Sequence, residues 1–585
     1  MANLAERPEI PGRAILGLVV ALAFTLWWRG HTFGPTIRDL LGFAPWPVVR
    51  GESEPLDCDE AAYAYMGRRM LDGDRLYADL SENKPPLGYW IYELAVALGG
   101  PNELAIRLLP IPFVLATVAM TWWIGLRLGG TMAAVLSAVL VGLLSTDPYL
   151  YGNGAQLEQP INCFALASLA AAIEAGLVPR RRGAWLLLAG IAVGLATLVK
   201  QVAVLHLAVQ GVAVMAMPRG AGGGRGAGTP RSLGLLMAGF AGTLAVAAAI
   251  LWARGVMGAA ADDIIRHGRA LATDIPPDPN APSPLFRWLT GNADPSGALP
   301  PPFGSTDYLV WWGRGSWPIW LAAVPSMAWL TFGRSSFGRR LVVAWTASCL
   351  VQVVAPGLYW AHYYLLPVPG LALSVALTMG DLAAVGWRTR RSIAALAALS
   401  AAVVGFSVIQ ARDYLLVPPE ELTIRYKGGR QWVELRKLGR LLADRTDDWG
   451  DPKLHVWGWQ SPLLFYSGLD SASRHFFTNN LMREFADRSH PVVSPRIDEL
   501  MGDLGEHRPE IVLAAYPPFP ALREFLGEGY LPSNLFPIAP DGRGLWVRKD
   551  RWAEFQFEAG RLSRSVRRPG SPPRGSPRSV PGASP

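Results

Sequence analysis

Charged residues are scarce in this chain of 585 residues, making up 17% of the sequence, whereas 51% of the residues are hydrophobic. The mean hydropathy is +0.22. Soluble domains carry about a quarter charged residues, so this composition argues against a wholly soluble protein. The deficit lies in repeated apolar runs such as residues 14–28 and 131–145. These runs approach the roughly 20 apolar residues that cross a bilayer, which predicts a polytopic helical membrane protein.

Cysteine is also scarce, because the chain has only Cys58, Cys163 and Cys349. None of them forms a CxxC pair and two lie in apolar segments, so we expect neither a disulfide framework nor a zinc cluster. The sequence also lacks a repeat of fixed period. The first apolar run lacks a small-residue cleavage site, which favours a retained helix over a signal peptide.

The formal net charge is +8 and the isoelectric point is about 9.4. A basic chain suggests nucleic-acid binding, but the arginines here lie in short clusters between apolar runs. That distribution is typical of cytoplasmic loops in membrane proteins, so no nucleic-acid partner is predicted.

Placing the arginine-bearing short loops and the N-terminus in the cytoplasm gives about eleven crossings. Their predicted positions are 13–28, 104–123, 130–146, 158–178, 184–198, 202–217, 232–253, 316–333, 341–356, 363–384 and 392–410. Lys200-Gln201 would mark a hairpin turn at the outer face. The loops 29–103, 147–157, 254–315 and 356–362, and everything after about residue 410, would then lie outside.

Residues 411–560 differ from the rest of the chain because charged residues become frequent there. The segments 453–459, 509–516 and 544–549 read as short buried strands, which predicts a small extracytoplasmic α/β domain. Residues 561–585 are rich in Pro, Ser, Gly and Arg, and that composition predicts a disordered tail.

Two adjacent carboxylates, Asp59 and Glu60, follow the first apolar run in the segment DEAAYAYMGRRML, which also carries Tyr63. In one interpretation Asp59 is the N-cap of a helix and Glu60 favours the helix N-terminus. In the other, one carboxylate is a general base at the membrane surface. The sequence alone leaves both open.

Lys84 follows Asn83 in SENKPPLGYW, where Pro85-Pro86 stiffens the loop. Lys84 could simply extend to the lipid headgroups. It could instead be a cation for a phosphate, assisted by Arg75.

Four further residues lie near the outer ends of apolar segments: Glu158, Lys200, His362 and Tyr363. Ionisable residues at membrane depth suggest a function, although an interfacial role or an aromatic belt is the alternative. The predicted topology brings Asp59, Lys84, Glu158, Lys200 and His362 to one side of the membrane. That convergence favours a shared site.

The segment from Asp59 onward carries Asp-Glu, Tyr-Ala, Met-Leu-x-Gly-Asp, Lys-Pro-Pro-Leu-x-Tyr-Trp and Arg-Leu over about 50 residues. This pattern resembles the dolichyl-phosphate-mannose-protein mannosyltransferase-like bacterial glycosyltransferases, a group that includes aminoarabinose and galacturonosyl transferases. Weaker echoes are Glu158, GLATLVKQ at 194–201, HYYLLPVPGLAL at 362–373 and VWGWQSPLLFYSGLDSASRHF at 456–476.

The resemblance implies the GT-C fold and a donor sugar carried on a polyprenyl phosphate. It implies that residues 1–410 form the transmembrane glycosyltransferase domain, with 29–103 as the catalytic outer loop. Asp59 maps to the catalytic centre, Lys84 to the contact with the lipid phosphate and Glu158 to the substrate pocket. The substrate pocket is then predicted to contain Glu60, Tyr63, Asn83, Glu158, Lys200, His362 and Tyr363.

Two departures from the pattern count against transfer of aminoarabinose to lipid A and against a divalent cation near the carboxylates. Asn83 stands where relatives have an acid, and Ala61-Ala62 stand where they often have an arginine. The predicted activity is therefore transfer of an unspecified sugar, with inversion, to an envelope lipid, glycan or protein. The alternative from another class is a transporter or flippase for lipid-linked saccharides.

Overall fold

The computed structural model of the protein describes residues 10–217, 229–273, 307–333, 336–356, 360–385, 389–478, 481, 491–533, 535 and 539–556. The tail predicted at 561–585 lies outside the described residues, as does much of the predicted outer loop 254–315.

Within these ranges, eight helical stretches are long and apolar enough to cross a membrane. They are Gly12–Leu41, Glu103–Leu144, Glu158–Leu177, Pro179–Val199, Thr229–Ala253, Phe337–Val354, Ala361–Ala384 and Arg390–Leu415. Their number and apolar length identify a multi-pass membrane protein.

The eleven predicted crossings all overlap apolar helices, but the exact count stays a prediction. The stretch Glu103–Leu144 contains two of them, because Gly130 has a φ of 78° and breaks the helix there. Two more predicted crossings fall on the shorter apolar stretch Gln201–Ala216 and on the helix Asp307–Phe332. Lys200 has an extended backbone and ends the helix Arg182–Val199, so the predicted break at this residue is present.

Burial separates an inner helix from outer ones. The most apolar window of Ala361–Ala384 is 94% buried, whereas those of Thr229–Ala253 and Arg390–Leu415 are only 17% and 11% buried. The outer helices expose large apolar side chains such as Trp252 and Val404. Apolar side chains on the outside of a membrane helix have lipid as their solvent, so these faces suit acyl chains.

Glycines bring the helices Arg182–Val199 and Thr229–Ala253 into close contact. A side chain at Gly190 would overlap the carbonyl oxygen of Leu236, and one at Gly239 would overlap the carbonyl oxygen of Leu187. Membrane helices that pack through small residues gain van der Waals contact between their backbones.

The predicted outer loop 29–103 is largely helical, with helices at Gly34–Leu41, Cys58–Leu71 and Leu87–Gly99. The interpretation of Asp59 as the N-cap is wrong, because Asp57 occupies that position. Asp57 accepts a hydrogen bond from the backbone N–H of Glu60, and Glu60 accepts one from that of Asp57, which forms a capping box. Asp59 is thereby left without the capping role.

Glu60 also forms an ion pair with Arg107, and both side chains are essentially excluded from solvent. Arg107 further donates to the backbone carbonyl oxygens of Glu54 and Pro55. The pair therefore joins the start of the helix Cys58–Leu71 to the membrane helices that follow it.

A five-stranded sheet confirms the predicted strands near the C-terminus. The strands are β1 Lys453–Trp457, β2 Asp470–Ser471, β3 Ile511–Ala514, β4 Tyr530–Pro532 and β5 Gly544–Arg548. The strand order is β2-β1-β3-β5-β4. β1 pairs in parallel with β2 and β3, whereas β5 pairs antiparallel with β3 and β4.

The same region contains helices at Pro419–Tyr426, Gln431–Thr446, Pro462–Ser467, Ser494–His507 and Pro520–Gly529. Hydrogen bonds join this C-terminal region to the outer loop. The Ser461 hydroxyl donates to the carbonyl oxygen of Cys58 at 2.5 Å, and the backbone N–H of Ser471 donates to the Tyr65 hydroxyl at 2.8 Å. The sheet region therefore sits directly on the start of the helix Cys58–Leu71.

The close glycine contact gives a test of the helix packing. We expect Gly239→Ala to push the two helices apart and to lower the free energy of unfolding by about 1–3 kcal/mol, the usual cost of overpacking. Gly242 lies on the same helix and has no atom within 4 Å of an added side chain. The matched variant Gly242→Ala should keep or slightly raise the thermal midpoint in detergent. Equal midpoints for both variants would contradict this packing.

The buried ion pair gives a second test. Glu60→Ala leaves Arg107 buried without its partner, so we expect the free energy of unfolding to fall by about 3–5 kcal/mol. The control is Arg75→Ala, since Arg75 pairs with Asp79 at 3.0 Å but is 57% exposed. An exposed pair contributes about 0–1 kcal/mol, so the control midpoint should barely move. A Glu60→Ala protein as stable as the control would overturn the assignment.

Candidate functional site

A cavity of about 460 Å³ lies where the apolar helices meet the C-terminal region. Eight of the ten residues predicted from the sequence line it: Asp59, Tyr63, Asn83, Lys84, Glu158, Lys200, His362 and Tyr363. The structure therefore brings together side chains from sequence positions about 300 residues apart. Tyr63 contributes an aromatic face, because the Lys84 Nζ lies 5.4 Å from its ring centroid.

Asp59 lies in the first turn of the helix Cys58–Leu71, just after the cap formed by Asp57. Its carboxylate is a quarter exposed and reaches the cavity. Its Oδ2 lies 3.9 Å from the Nε2 of His362, an imidazole that is charged only when protonated. That separation is too long for a direct hydrogen bond, and an oxygen of a hydroxyl or water to one side of the gap could contact both groups.

The backbone around Lys84 is held in place from two sides. The Tyr77 hydroxyl donates to the carbonyl oxygen of Lys84 at 2.7 Å, and the Gln201 amide donates to that of Asn83 at 3.3 Å. Pro86 then caps the helix Leu87–Gly99. These contacts fix the direction in which the Lys84 ammonium enters the cavity.

Glu82 is the acid that accompanies Lys84. Its Oε1 accepts from the Lys84 Nζ at 3.2 Å and from the Asn83 N–H at 2.8 Å. Burial opposes the charged ammonium, but the carboxylates of Glu82 and Asp59 outweigh it and raise the pKa of Lys84 above its usual value. The cavity therefore contains a fixed positive charge.

Glu158 and Lys200 form a second buried ion pair in the cavity wall. The Lys200 Nζ lies 2.8 Å from Glu158 Oε1 and 3.8 Å from the ring centroid of Tyr363. Glu158 begins the helix Glu158–Leu177, and Lys200 follows the end of Arg182–Val199. The pair thus links the ends of two membrane helices in the cavity wall.

Glu60 and Arg75 do not line the cavity, although both were predicted in the site. Glu60 is fully buried, and the attraction of Arg107 outweighs burial and lowers its pKa. Glu60 therefore does not face the cavity, and its carboxylate instead holds the start of the helix Cys58–Leu71 against Arg107. Arg75 lies at the surface with Asp79, so the structure gives no support for the predicted contact with a donor phosphate.

Sequence reasoning missed a residue of the cavity wall, Lys427, and a residue that pairs with Lys84, Glu82. Lys427 lines the cavity and its Nζ lies 3.0 Å from Glu54 Oε1, with both side chains completely buried. No local signal links two residues so far apart in the chain. Glu82 could have been found, because it stands two residues before Lys84 in the same motif.

Asp57 also lines the cavity, with Oδ2 accepting from the Gln156 amide at 2.8 Å. Burial, followed by the negative charge of Glu60, raises the pKa of Asp57. Both of its oxygens are engaged, so it serves the helix start. Across the described ranges, no group of three or more His, Cys, Asp or Glu is placed to hold a metal ion.

Residues 83–221 match the family model described as dolichyl-phosphate-mannose-protein mannosyltransferase. This range includes Lys84, Glu158 and Lys200.

Two curated relatives are undecaprenyl phosphate-α-4-amino-4-deoxy-L-arabinose arabinosyl transferases. The one from Erwinia tasmaniensis is 31% identical over 166 residues, which is 27% of this chain and 29% of the relative. The one from Sodalis glossinidius is 32% identical over 155 residues, which is 24% of this chain and 27% of the relative. The matched region thus spans less than a third of either relative.

Solved structures extend the likeness to most of the chain. ArnT from Cupriavidus metallidurans in the apo state gives a TM-score of 0.52 at 16% identity, covering 91% of this chain and 97% of that one. The same protein bound to undecaprenyl phosphate gives 0.50 at 17% identity, with the same coverage. The resemblance predicted from the sequence is thereby confirmed: residues 83–221 match the dolichyl-phosphate-mannose-protein mannosyltransferase family, and the chain has the GT-C fold of ArnT.

Proposed function

We propose that the protein is a membrane glycosyltransferase that moves a sugar from a polyprenyl phosphate to an acceptor hydroxyl on the extracytoplasmic side. The observation that carries the proposal is the convergence of Asp59, Lys84, Glu158 and His362 on one cavity. A carboxylate and a fixed cation at the edge of apolar helices are the groups that transfer from a lipid phosphate needs.

Lys84 is proposed to hold the phosphate of the donor. When the bond between the anomeric carbon and the phosphate oxygen breaks, negative charge develops on the leaving polyprenyl phosphate. A preorganised cation in a site with little water stabilises that charge. The pairing with Glu82 keeps the ammonium in place before the donor binds.

Asp59 is proposed as the base. The acceptor oxygen forms a bond to the anomeric carbon from the face opposite the phosphate, and the acceptor proton passes to the Asp59 carboxylate. His362 lies across a 3.9 Å gap from Asp59 and can orient the hydroxyl there. A single displacement of this kind inverts the configuration at the anomeric carbon.

The identity of the transferred sugar is a more specific question than the type of reaction. The two arabinosyl transferases among the relatives favour a pentose such as aminoarabinose, whereas Asn83 departs from their acid. Glu82 reduces the weight of that departure, because it supplies a carboxylate 3.2 Å from the Lys84 ammonium. Neither the family match nor the structural neighbours favour the transporter alternative.

Asp59→Asn removes the base while keeping the size of the side chain. We expect the rate of transfer from undecaprenyl-phosphate sugars in reconstituted membranes to fall by about 10²–10⁴-fold, the usual contribution of a positioned base. Release of polyprenyl phosphate, measured by mass spectrometry, checks this. The control is Asp39→Asn on the same outer loop, whose carboxylate is 66% exposed. Transfer by Asp59→Asn at the control rate would rule out the base.

Lys84→Met removes the cation and keeps much of the stem. We expect kcat/KM for the donor to fall by about 10²–10³-fold, as for the loss of one charge-stabilising group. Lys84→Arg keeps the charge and should recover part of the loss. A donor kcat/KM unchanged in Lys84→Met would exclude the phosphate role.

A further inference from the structure

The loops that follow β1 and β3 of the C-terminal sheet meet beside the cavity, because Trp459 in the first of these loops also lines it, and the space between the two loops is called the crevice below. The chain passes from β1 to β2 on one side of β1 and then to β3 on the other side, so the strand order reverses between β1 and β3. In open α/β sheets, ligands bind outside the carboxyl ends of the strands at such a reversal. β1 ends at Trp457 and β3 ends at Ala514, and their registers pair these two residues.

The loops after these two strands form an aromatic wall. Trp459 follows β1 and Tyr516 follows β3, with ring centroids 6.3 Å apart and an interplanar angle of 31°. Trp360, from the segment before the helix Val368–Val385, adds a third ring 5.5 Å from that of Trp459. Trp360 and Trp459 also line the cavity, so the wall continues from the crevice to the proposed reaction centre.

The loops after β1 and β3 approach each other closely at the base of the crevice. Gly458 has a φ of 154°, and the Cβ of any other residue there would lie 2.8 Å from that of Ala515. A side-chain amide stands beside it, because the Gln460 Oε1 is buried and has no hydrogen-bond partner among the described residues. The crevice thus offers aromatic faces together with an unsatisfied polar atom.

The crevice lies on the water side of the protein. No described helix between residues 419 and 556 is among the candidate membrane spans. Tyr516 is 37% exposed at the outer end of the wall. A lipid chain is therefore a poor occupant, and a group that reaches the cavity from water is a good one.

We propose that this crevice, formed by Trp360, Trp459, Gln460 and Tyr516, binds a saccharide of the acceptor. The C–H faces of a pyranose are apolar and match the negative face of an aromatic ring, while its hydroxyls can satisfy an amide. The inference rests on the proposed function and specifies it: the acceptor is a glycan, and the crevice leads its hydroxyl to Asp59.

A peptide acceptor fits this geometry less well. Extended peptides commonly bind by pairing with an edge strand. In this sheet β2 and β4 are the edges, whereas the crevice lies between the interior strands β1 and β3.

The test uses the full chain in lipid nanodiscs with two probes, a panel of pyranose oligosaccharides and a panel of glycan-free peptides that contain Ser and Thr. Saturation-transfer NMR measures direct binding without requiring transfer. We expect at least one oligosaccharide to bind the wild type and Tyr516→Ala to raise its Kd about three- to tenfold, as for the loss of one aromatic contact. Tyr516→Phe keeps the ring and should stay within about twofold of the wild type, provided that all three proteins share one thermal midpoint.

The outcomes separate the crevice from the catalytic proposal. No oligosaccharide binding to the wild type, equal Kd values for Tyr516→Ala and the wild type, or binding of peptides alone would overturn the saccharide crevice. Oligosaccharide binding that depends on Tyr516, in a chain that releases no polyprenyl phosphate from any donor, would support the crevice and contradict the proposed transferase activity.

Discussion

Burying charge at the end of the helical bundle is costly unless each charge is paired, and three pairs meet that requirement around the cavity. Glu60 pairs with Arg107, Glu54 with Lys427, and Glu158 with Lys200. Each pair joins segments that are distant in sequence. Because breaking such a pair leaves an isolated buried charge, the pairs hold the outer loop, the membrane helices and the C-terminal region in one arrangement.

The same constraint explains why Asp59 is the carboxylate proposed for chemistry. Four carboxylates lie within seven residues of sequence, at Glu54, Asp57, Asp59 and Glu60. Glu54 and Glu60 neutralise buried cations, and Asp57 caps a helix. Asp57 and Asp59 both line the cavity, but only Asp59 is a quarter exposed and free of a structural role at the helix start, with Oδ2 3.9 Å from the His362 Nε2.

Local patterns predicted much of this arrangement. The apolar runs gave the membrane helices, and the Lys-Pro-Pro motif and the placement of loops brought Lys84, Glu158, Lys200 and His362 to one site. The sequence did not predict which residue pairs with each buried charged side chain. Lys427 and Glu54 are separated by more than 370 residues, so only the fold pairs them. Arg75 stands close to the motif in sequence but pairs with Asp79, four residues further along the chain, and stays at the surface.

The C-terminal region forms part of the proposed site. It contributes Lys427, Trp432, Trp459 and Phe477 to the cavity wall. A donor entering from lipid and an acceptor entering from water would then meet between the two parts. This division fits a reaction that joins a lipid-borne sugar to a water-borne hydroxyl.

The most direct test of this account is an experimental structure of the full chain with undecaprenyl phosphate bound. We predict the phosphate within hydrogen-bond distance of the Lys84 Nζ, on the same cavity as Asp59, with the lipid chain leaving between the membrane helices. A phosphate bound elsewhere on the protein, with Lys84 still held by Glu82 alone, would contradict the central claim.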